Sequence, residues 1–336
     1  MGLDDKAPGQ YMLREIMEQP EAVDKTIKES EKLAERAVEI LDDRFIYITG
    51  SGTSYHASLV LQRALMRISG MRATAIQASE LPSWMPDRVQ NSILIAFSQS
   101  GESKDVILAV KSFRRACEGC PVIAITNTEG STLAKEGDLA IFTKAGVERA
   151  VAATKSYTTQ LAVAFMLSIK LADKNDLLKE LKSIPDEIRR TVEVNFNEAL
   201  RVSDLIKDRE FGFVLGKGAN YPTALEAALK LRETCNFYYT GFAAREFLHG
   251  PIQLVNERTP VIAVDWRRMG DVIKKVSSYG APVIKVGSEG DLPTSDVGEL
   301  SPIIMVIPLQ LLAYHVSIKR GLDPDKPEKL GKVVTE

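Results

Sequence analysis

A pattern written twice constrains this chain more than anything else in it. Phe45-Ile46-Tyr47-Ile48 is a short apolar run that ends in Thr49-Gly50-Ser51-Gly52. Phe211-Gly212-Phe213-Val214-Leu215 ends the same way, in Gly216-Lys217-Gly218. A helix-like stretch follows each, opening near Tyr55 in the first case and Tyr221 in the second. Short apolar runs alternating with helical segments read as strands buried on both faces, which is the signature of a parallel sheet wrapped by helices. Further runs of this kind lie at about 73–77, 93–97, 122–126 and 139–142 in the first copy. In the second they lie at 260–264, 282–286 and 303–307, with Ile303-Ile304-Met305-Val306-Ile307 answering the fifth strand. The matched order points to a duplication, at a longer period than the familiar repeats. Two doubly wound α/β domains are expected.

A length of 336 residues with 45% apolar content suits roughly two domains. The formal net charge of −2 gives no basic surface for nucleic acid or an acidic membrane, so neither is expected as a partner. Cys117 and Cys120 form a lone C-x-x-C without a second pair or a nearby His, and read as ordinary thiols at a helix end. Met1-Gly2-Leu3-Asp4-Asp5 lacks the apolar core of a signal peptide, and the longest apolar stretch, Leu161 to Ile169, is cut by Lys170. A cytoplasmic, reduced setting is expected. The boundaries drawn from these patterns are a helical segment over 1–30, a first domain over 31–173 and a charged helical connector over 174–208. A second domain follows over 209–321 and a tail over 322–336. Pro185 reads as the start of a helix inside the connector.

The copies differ where a ligand would sit. After its third strand the first copy has Ser98-Gln99-Ser100-Gly101-Glu102-Ser103, while the second has Trp266-Arg267-Arg268-Met269. In an open parallel sheet the ligand lies beyond the carboxyl ends of the strands, where helix N–H groups favour an anion. One serine would serve as a helix cap, whereas three serines and a glutamine suggest a phosphate cradle. There is no P-loop lysine. Gly50-Ser51-Gly52 fails the dinucleotide fingerprint at Tyr55, and Gln77 stands where an acid is expected, so Thr53 and Ser54 read as further phosphate donors. Lys230 and Glu233 share a helix face at i, i+3, either as a surface ion pair or as a carboxylate placed to move a proton between adjacent carbons. His249, before Gly250-Pro251, is displayed by a turn and suits acid–base work. His56 and His315 read as packing residues. In the apolar tail, a docked Lys332 could lose its charge and attack a carbonyl.

Taken together, these residues resemble the sugar isomerase (SIS) domain family, in particular the isomerase half of glucosamine-6-phosphate synthase. The likeness is carried by Glu15-Ile16-Met17-Glu18-Gln19-Pro20, Gly52-Thr53-Ser54-Tyr55-His56, Ser98 to Ser103, Thr126-Asn127, Ala152 to Leu161, Ala224-Leu225-Glu226 to Glu233, His249-Gly250-Pro251, Ala313-Tyr314-His315 and Lys332 to Glu336. The resemblance implies two tandem flavodoxin-like SIS domains with helices on both faces, a homodimer and a hexose 6-phosphate ligand. It implies Thr53, Ser54, Ser98, Gln99, Ser100 and Ser103 as phosphate ligands and Lys230 as a sugar-positioning residue. Glu233 matches the base between C1 and C2. His249 matches the ring-opening residue, which the family takes from the neighbouring subunit. Lys332 matches the lysine that forms an imine with the open-chain sugar.

Two departures stand out. The synthase carries a glutaminase domain that has no counterpart here, which turns the expectation towards a hexosamine-6-phosphate deaminase/isomerase. Such an enzyme would convert glucosamine 6-phosphate and water to fructose 6-phosphate and ammonia, without cofactor or metal. The family's Ala-Ser-Thr-Lys also reads Ala152-Ala153-Thr154-Lys155, which leaves the sugar open. The alternatives are a deglycase acting on fructoselysine 6-phosphate and a non-catalytic sugar-phosphate sensor.

Overall fold

The computed structural model describes residues 7–41 and 43–332. In chain order the elements are α1 (Gln10–Met17), α2 (Gln19–Leu41), β1 (Phe45–Gly50), α3 (Thr53–Ala64), β2 (Ala73–Gln77), α4 (Leu81–Trp84), β3 (Ser92–Ser98), α5 (Lys104–Ala116), β4 (Val122–Thr126), α6 (Thr132–Glu136), β5 (Leu139–Phe142), α7 (Lys155–Leu171) and α8 (Asn175–Ile206). They continue with β6 (Phe211–Gly216), α9 (Tyr221–Cys235), β7 (Tyr238–Ala243), β8 (Val261–Val264), α10 (Gly270–Ser278), β9 (Val283–Val286) and α11 (Ser301–Lys319). Two compact units result. One comprises 19–147 and 155–185; the other comprises 7–18, 148–154 and 186–332.

The first unit holds a parallel five-stranded sheet in the order β2-β1-β3-β4-β5. All seven residues of β3 are buried, as expected of a central strand covered on both faces. Strand order reverses between β1 and β3, so the loops after these two strands leave the sheet in opposite directions and open a crevice. On one face Leu94 and Ala96 pack with Val106, Val110 and Phe113 of α5.

The second unit repeats the order with one strand fewer, β7-β6-β8-β9, again parallel. The two doubly wound sheets agree with the duplication, but the second copy differs from expectation in two places. Residues 303–307 are not a strand; they are the first turns of α11, which runs unbroken from Ser301 to Lys319 with Pro302 in its first turn. An apolar run cannot be assigned by period alone, and Ile303–Ile307 continues into further apolar residues far beyond strand length. The segment 298–319 is long and apolar enough to cross a membrane, which corrects Leu161 to Ile169 as the longest such stretch. In its most apolar 18-residue window 89% is buried inside the protein, so it is a core helix. The second difference is an added strand, β7, whose Tyr238-Tyr239-Thr240 carries strong strand formers.

Two smaller expectations also give way. Pro185 lies inside the single helix α8 and does not begin one. Cys117 and Cys120 are joined in a disulfide with Cα atoms 5.4 Å apart, not left as two thiols. Cys117 leaves α5 at its C-cap, and Gly119 in the left-handed region turns the chain back towards it.

Candidate active-site groups

In the first unit the loop from Ser98 to Ser103 is built as a ring of hydroxyls. Gly101 N–H donates to Ser98 Oγ (3.1 Å) and Glu102 N–H to Ser100 Oγ (3.2 Å). With those oxygens accepting from backbone, each O–H remains to donate outward. Ser103 is the N-cap of α5 yet makes no side-chain capping bond. The loop is pinned from behind. Asn127 N–H and Thr126 Oγ1 both donate to Gln99 O (3.0 and 3.3 Å), and Leu133 N–H donates to Gly101 O (2.9 Å). Glu102 accepts from Thr132 N–H (2.8 Å) and Thr132 Oγ1 (2.7 Å), and these bonds hold its carboxyl below the usual range. Gly101 must be glycine: its φ is +70°, and a Cβ would run into the Ser131 side chain.

Across the β1/β3 switch point, Thr53 and Ser54 open α3. Ser54 Oγ accepts from Gln160 Nε2 of α7 (3.0 Å), which leaves its O–H to donate as well. Two helix N-termini and a set of neutral hydroxyls therefore flank one crevice, an arrangement suited to a phosphate dianion. The equivalent place in the second unit is filled by its own side chains. Asp265 pairs with Arg268 (2.8 Å), Lys217 Nζ donates to Arg268 O (3.1 Å), and Trp266 Nε1 donates to Ser288 O (3.0 Å).

The second unit carries the ionisable groups. Glu226, Lys230 and Glu233 lie on one face of α9 at i, i+4 and i+7. Lys230 Nζ stands 3.2 Å from Glu226 Oε1 and 2.6 Å from Glu233 Oε2. Glu226 and Lys230 have no exposed side-chain surface, while Glu233 keeps 20%. This is not the surface ion pair that the spacing also allowed. Burial by itself would lower the Lys230 pKa, but the two carboxylates outweigh it and hold the ammonium above its ordinary value. The one carboxylate with an open side is Glu233. Its neighbour Glu226 has no role in the sequence reading, although it stands in the stretch that carries the resemblance.

His249 ends a short 3-10 turn, Glu246–Leu248, and is exposed. Its N–H donates to Glu246 O (2.9 Å), and its ring makes no hydrogen bond among the described residues. Lys332 is the last described residue, so Val333 to Glu336 of the expected tail lie outside the description. Its Nζ donates to Glu148 Oε2 (2.7 Å) and Ala150 O (2.6 Å). That loop, 148–154, also carries Ala153. Glu148 is a group that sequence reasoning missed, since no local pattern marks it. His315 is buried and bonded to Phe196 O (3.1 Å); burial lowers its pKa to about 4, so it is a neutral packing residue.

The SIS domain family matches residues 39–170 and 205–320, most of the chain and both copies of the pattern. The chain belongs to the SIS domain family. Among curated proteins it is 37% identical to the glutamine–fructose-6-phosphate aminotransferase (isomerizing) of Thermococcus kodakarensis, covering 97% of this chain and 58% of that one. For the protein of the same name from Pyrobaculum aerophilum the figures are 38%, 97% and 57%. The chain thus spans a little under three fifths of these relatives. Among solved structures it resembles the C-terminal domain of glucosamine-fructose-6-phosphate aminotransferase from Francisella tularensis. The TM-score there is 0.87 at 30% identity, with 97% of this chain and 100% of that one covered. A glucosamine-6-phosphate deaminase from Thermotoga maritima follows at TM-score 0.80 and 28% identity, with 96% and 99% covered. These relatives and solved structures are named for aminotransfer to fructose 6-phosphate and for deamination of glucosamine 6-phosphate.

Proposed function

We propose that this SIS protein is a hexosamine-6-phosphate deaminase/isomerase, converting glucosamine 6-phosphate and water to fructose 6-phosphate and ammonia. The observation that carries the reading is Glu233: a carboxylate paired with the wholly buried Lys230, keeping one open side for a substrate proton. The hydroxyl loop supplies the anchor for a 6-phosphate. Likeness to the Thermotoga deaminase over 96% of this chain favours ammonia release within a common isomerase chemistry.

In this mechanism Thr53, Ser54, Ser98, Gln99, Ser100 and Ser103 hold the phosphate, and Lys230 orients the sugar. His249, supplied across a homodimer interface, helps to open the ring. Glu233 takes the proton from C2 and returns it to C1, giving a 2-imine through an enolamine. Lys332 adds its amine to C2 of the 2-imine and displaces ammonia, leaving its own imine on C2. Water then frees fructose 6-phosphate. The reading places the enzyme in the cytoplasm, with no nucleic-acid or membrane partner.

The test is ammonia release by purified protein given glucosamine 6-phosphate or fructoselysine 6-phosphate. Ammonia and fructose 6-phosphate in equal amounts from the first substrate support the proposal. Amine release from the second alone would make the protein a deglycase. Binding of fructose 6-phosphate without turnover of either would make it a sensor.

A further inference from the structure

Glu148 is a wholly buried carboxylate to which the chemistry above assigns no task. Its Oε1 accepts from Thr154 N–H (3.0 Å) and its Oε2 from Lys332 Nζ (2.7 Å), while the same ammonium donates to Ala150 O (2.6 Å). The loop that carries it is fastened on other sides. Glu15 of α1 accepts from the N–H groups of Arg149 and Ala150, and Val151 N–H donates to Asp325 O (3.1 Å). Asp325 in turn accepts from Tyr11 and Met12 N–H (2.8 and 2.7 Å) at the start of α1. Three distant parts of the chain therefore hold one carboxylate against one lysine. An exposed lysine–glutamate pair needs no such framework and contributes little.

We propose that Glu148 positions Lys332 and governs when its amine can bond to the open carbonyl of the sugar phosphate; the inference rests on the imine role given to Lys332 above. An ammonium has no lone pair, so Lys332 must lose a proton before it attacks. Of the two oxygens that hold it, only the Glu148 carboxylate can take that proton; the Ala150 carbonyl can only accept a hydrogen bond. Transfer along the 2.7 Å contact leaves a neutral amine and a neutral acid. The amine forms the C–N bond as the carbonyl π bond opens, and one of its protons passes to the carbonyl oxygen. Glu148 then returns its proton to the resulting hydroxyl, water leaves, and the iminium and carboxylate remain. Protons and charge balance without a further reactant.

The same pairing makes Glu148 a brake, since the amine is freed for attack only once the carboxylate has taken its proton. The other titratable groups on the elements fastened to this loop are Tyr11, Arg14 and Glu15 of α1, Glu18 at its end, and Asp323 and Asp325. Arg149 lies over the Tyr11 ring, and Lys326, Glu328 and Lys329 are exposed on the segment leading to Lys332.

The experiment traps the imine in the full chain with fructose 6-phosphate and cyanoborohydride across a pH series, with peptide mapping to locate the adduct. Wild type should carry the adduct on Lys332. Glu148→Gln should lower the pH midpoint of trapping by about one unit or more, because the charge that favours the ammonium is gone. Its plateau rate should fall at least about tenfold for want of the proton acceptor. Glu148→Asp keeps the charge and should keep the wild-type midpoint at a reduced plateau. A Glu148→Gln midpoint equal to wild type, or a Glu148→Asp midpoint displaced as far as that of Glu148→Gln, overturns the inference and leaves the imine intact. If Glu148→Gln does not fold, a displaced Glu148→Asp midpoint against wild type overturns it equally. Absence of any Lys332 adduct in wild type overturns the imine reading and this inference with it.

Discussion

Lys230 Nζ lies 2.6 Å from Glu233 Oε2, and the lysine has no exposed side-chain surface. The spacing on α9 allowed a solvated ion pair of little consequence; burial makes it a charged pair that the fold must satisfy. Glu226, 3.2 Å from the same ammonium and equally buried, completes the cluster.

Removing the cation should therefore cost far more than a surface charge would. Lys230→Met leaves Glu226 buried without its counter-ion and should destabilise the protein by roughly 3–5 kcal/mol. Urea unfolding checks the figure, and adding Glu226→Gln should recover part of the loss. The pH dependence follows from a folded pKa raised above the ordinary 10.5. The stabilisation is fully present below that value and is lost as pH climbs through the higher folded pKa. Wild type should weaken in that alkaline range, and Lys230→Met should not show the added loss.

Glu233→Gln should reduce turnover of glucosamine 6-phosphate by about 10²–10⁴-fold, the usual worth of a positioned base. The phosphate is held elsewhere, so the dissociation constant for fructose 6-phosphate should change by less than about threefold. Steady-state rates and calorimetry separate the two quantities, and an unchanged rate would remove Glu233 from the mechanism.

The hydroxyl loop predicts a loss specific to phosphate. Ser98→Ala and Ser100→Ala each delete a donor to a dianion, worth about 1.5–3 kcal/mol, or roughly ten- to a hundredfold in affinity. Calorimetric titration with fructose 6-phosphate and with inorganic phosphate should show the drop in both. Equal binding by wild type and Ser100→Ala would refute the cradle.

Glycine positions give a graded contrast. Gly101→Ala must place a Cβ against Ser131 at a φ of +70°, so it should distort the loop and weaken phosphate binding at least about tenfold. Gly52→Ala has a φ of +53° but nothing within 4 Å of the new Cβ. With a ψ of −124° the position lies outside the left-handed helical region, so the change should cost roughly 1–3 kcal/mol of backbone strain, with binding less affected than by Gly101→Ala. Thermal unfolding and titration of the two variants test this ordering.

His315 gives an acid-side prediction. Burial lowers its pKa from 6.5 to about 4, with the Phe196 carbonyl opposing this in part and Lys319 adding to it. The unfolded chain binds the proton more readily between these values, so stability is complete above about pH 6.5 and falls as pH drops towards 4. The loss should approach roughly 3 kcal/mol at one pH unit per 1.4 kcal/mol. His315→Asn should flatten that limb of the stability curve.

The sequence by itself determined the repeated α/β pattern, the serine loop at the end of β3 and the face shared by Lys230 and Glu233. Strand runs, helix periods and turn residues are local, so a reader of neighbouring residues recovers them. Only tertiary structure decided that residues 303–307 join α11, because a run of apolar residues suits a buried strand or a core helix equally until its packing is known. It likewise decided that Lys230 is buried and that Lys332 meets Glu148, a partner 184 positions away along the chain. Burial and pairing of charges depend on what long-range folding brings alongside, and no local spacing encodes that.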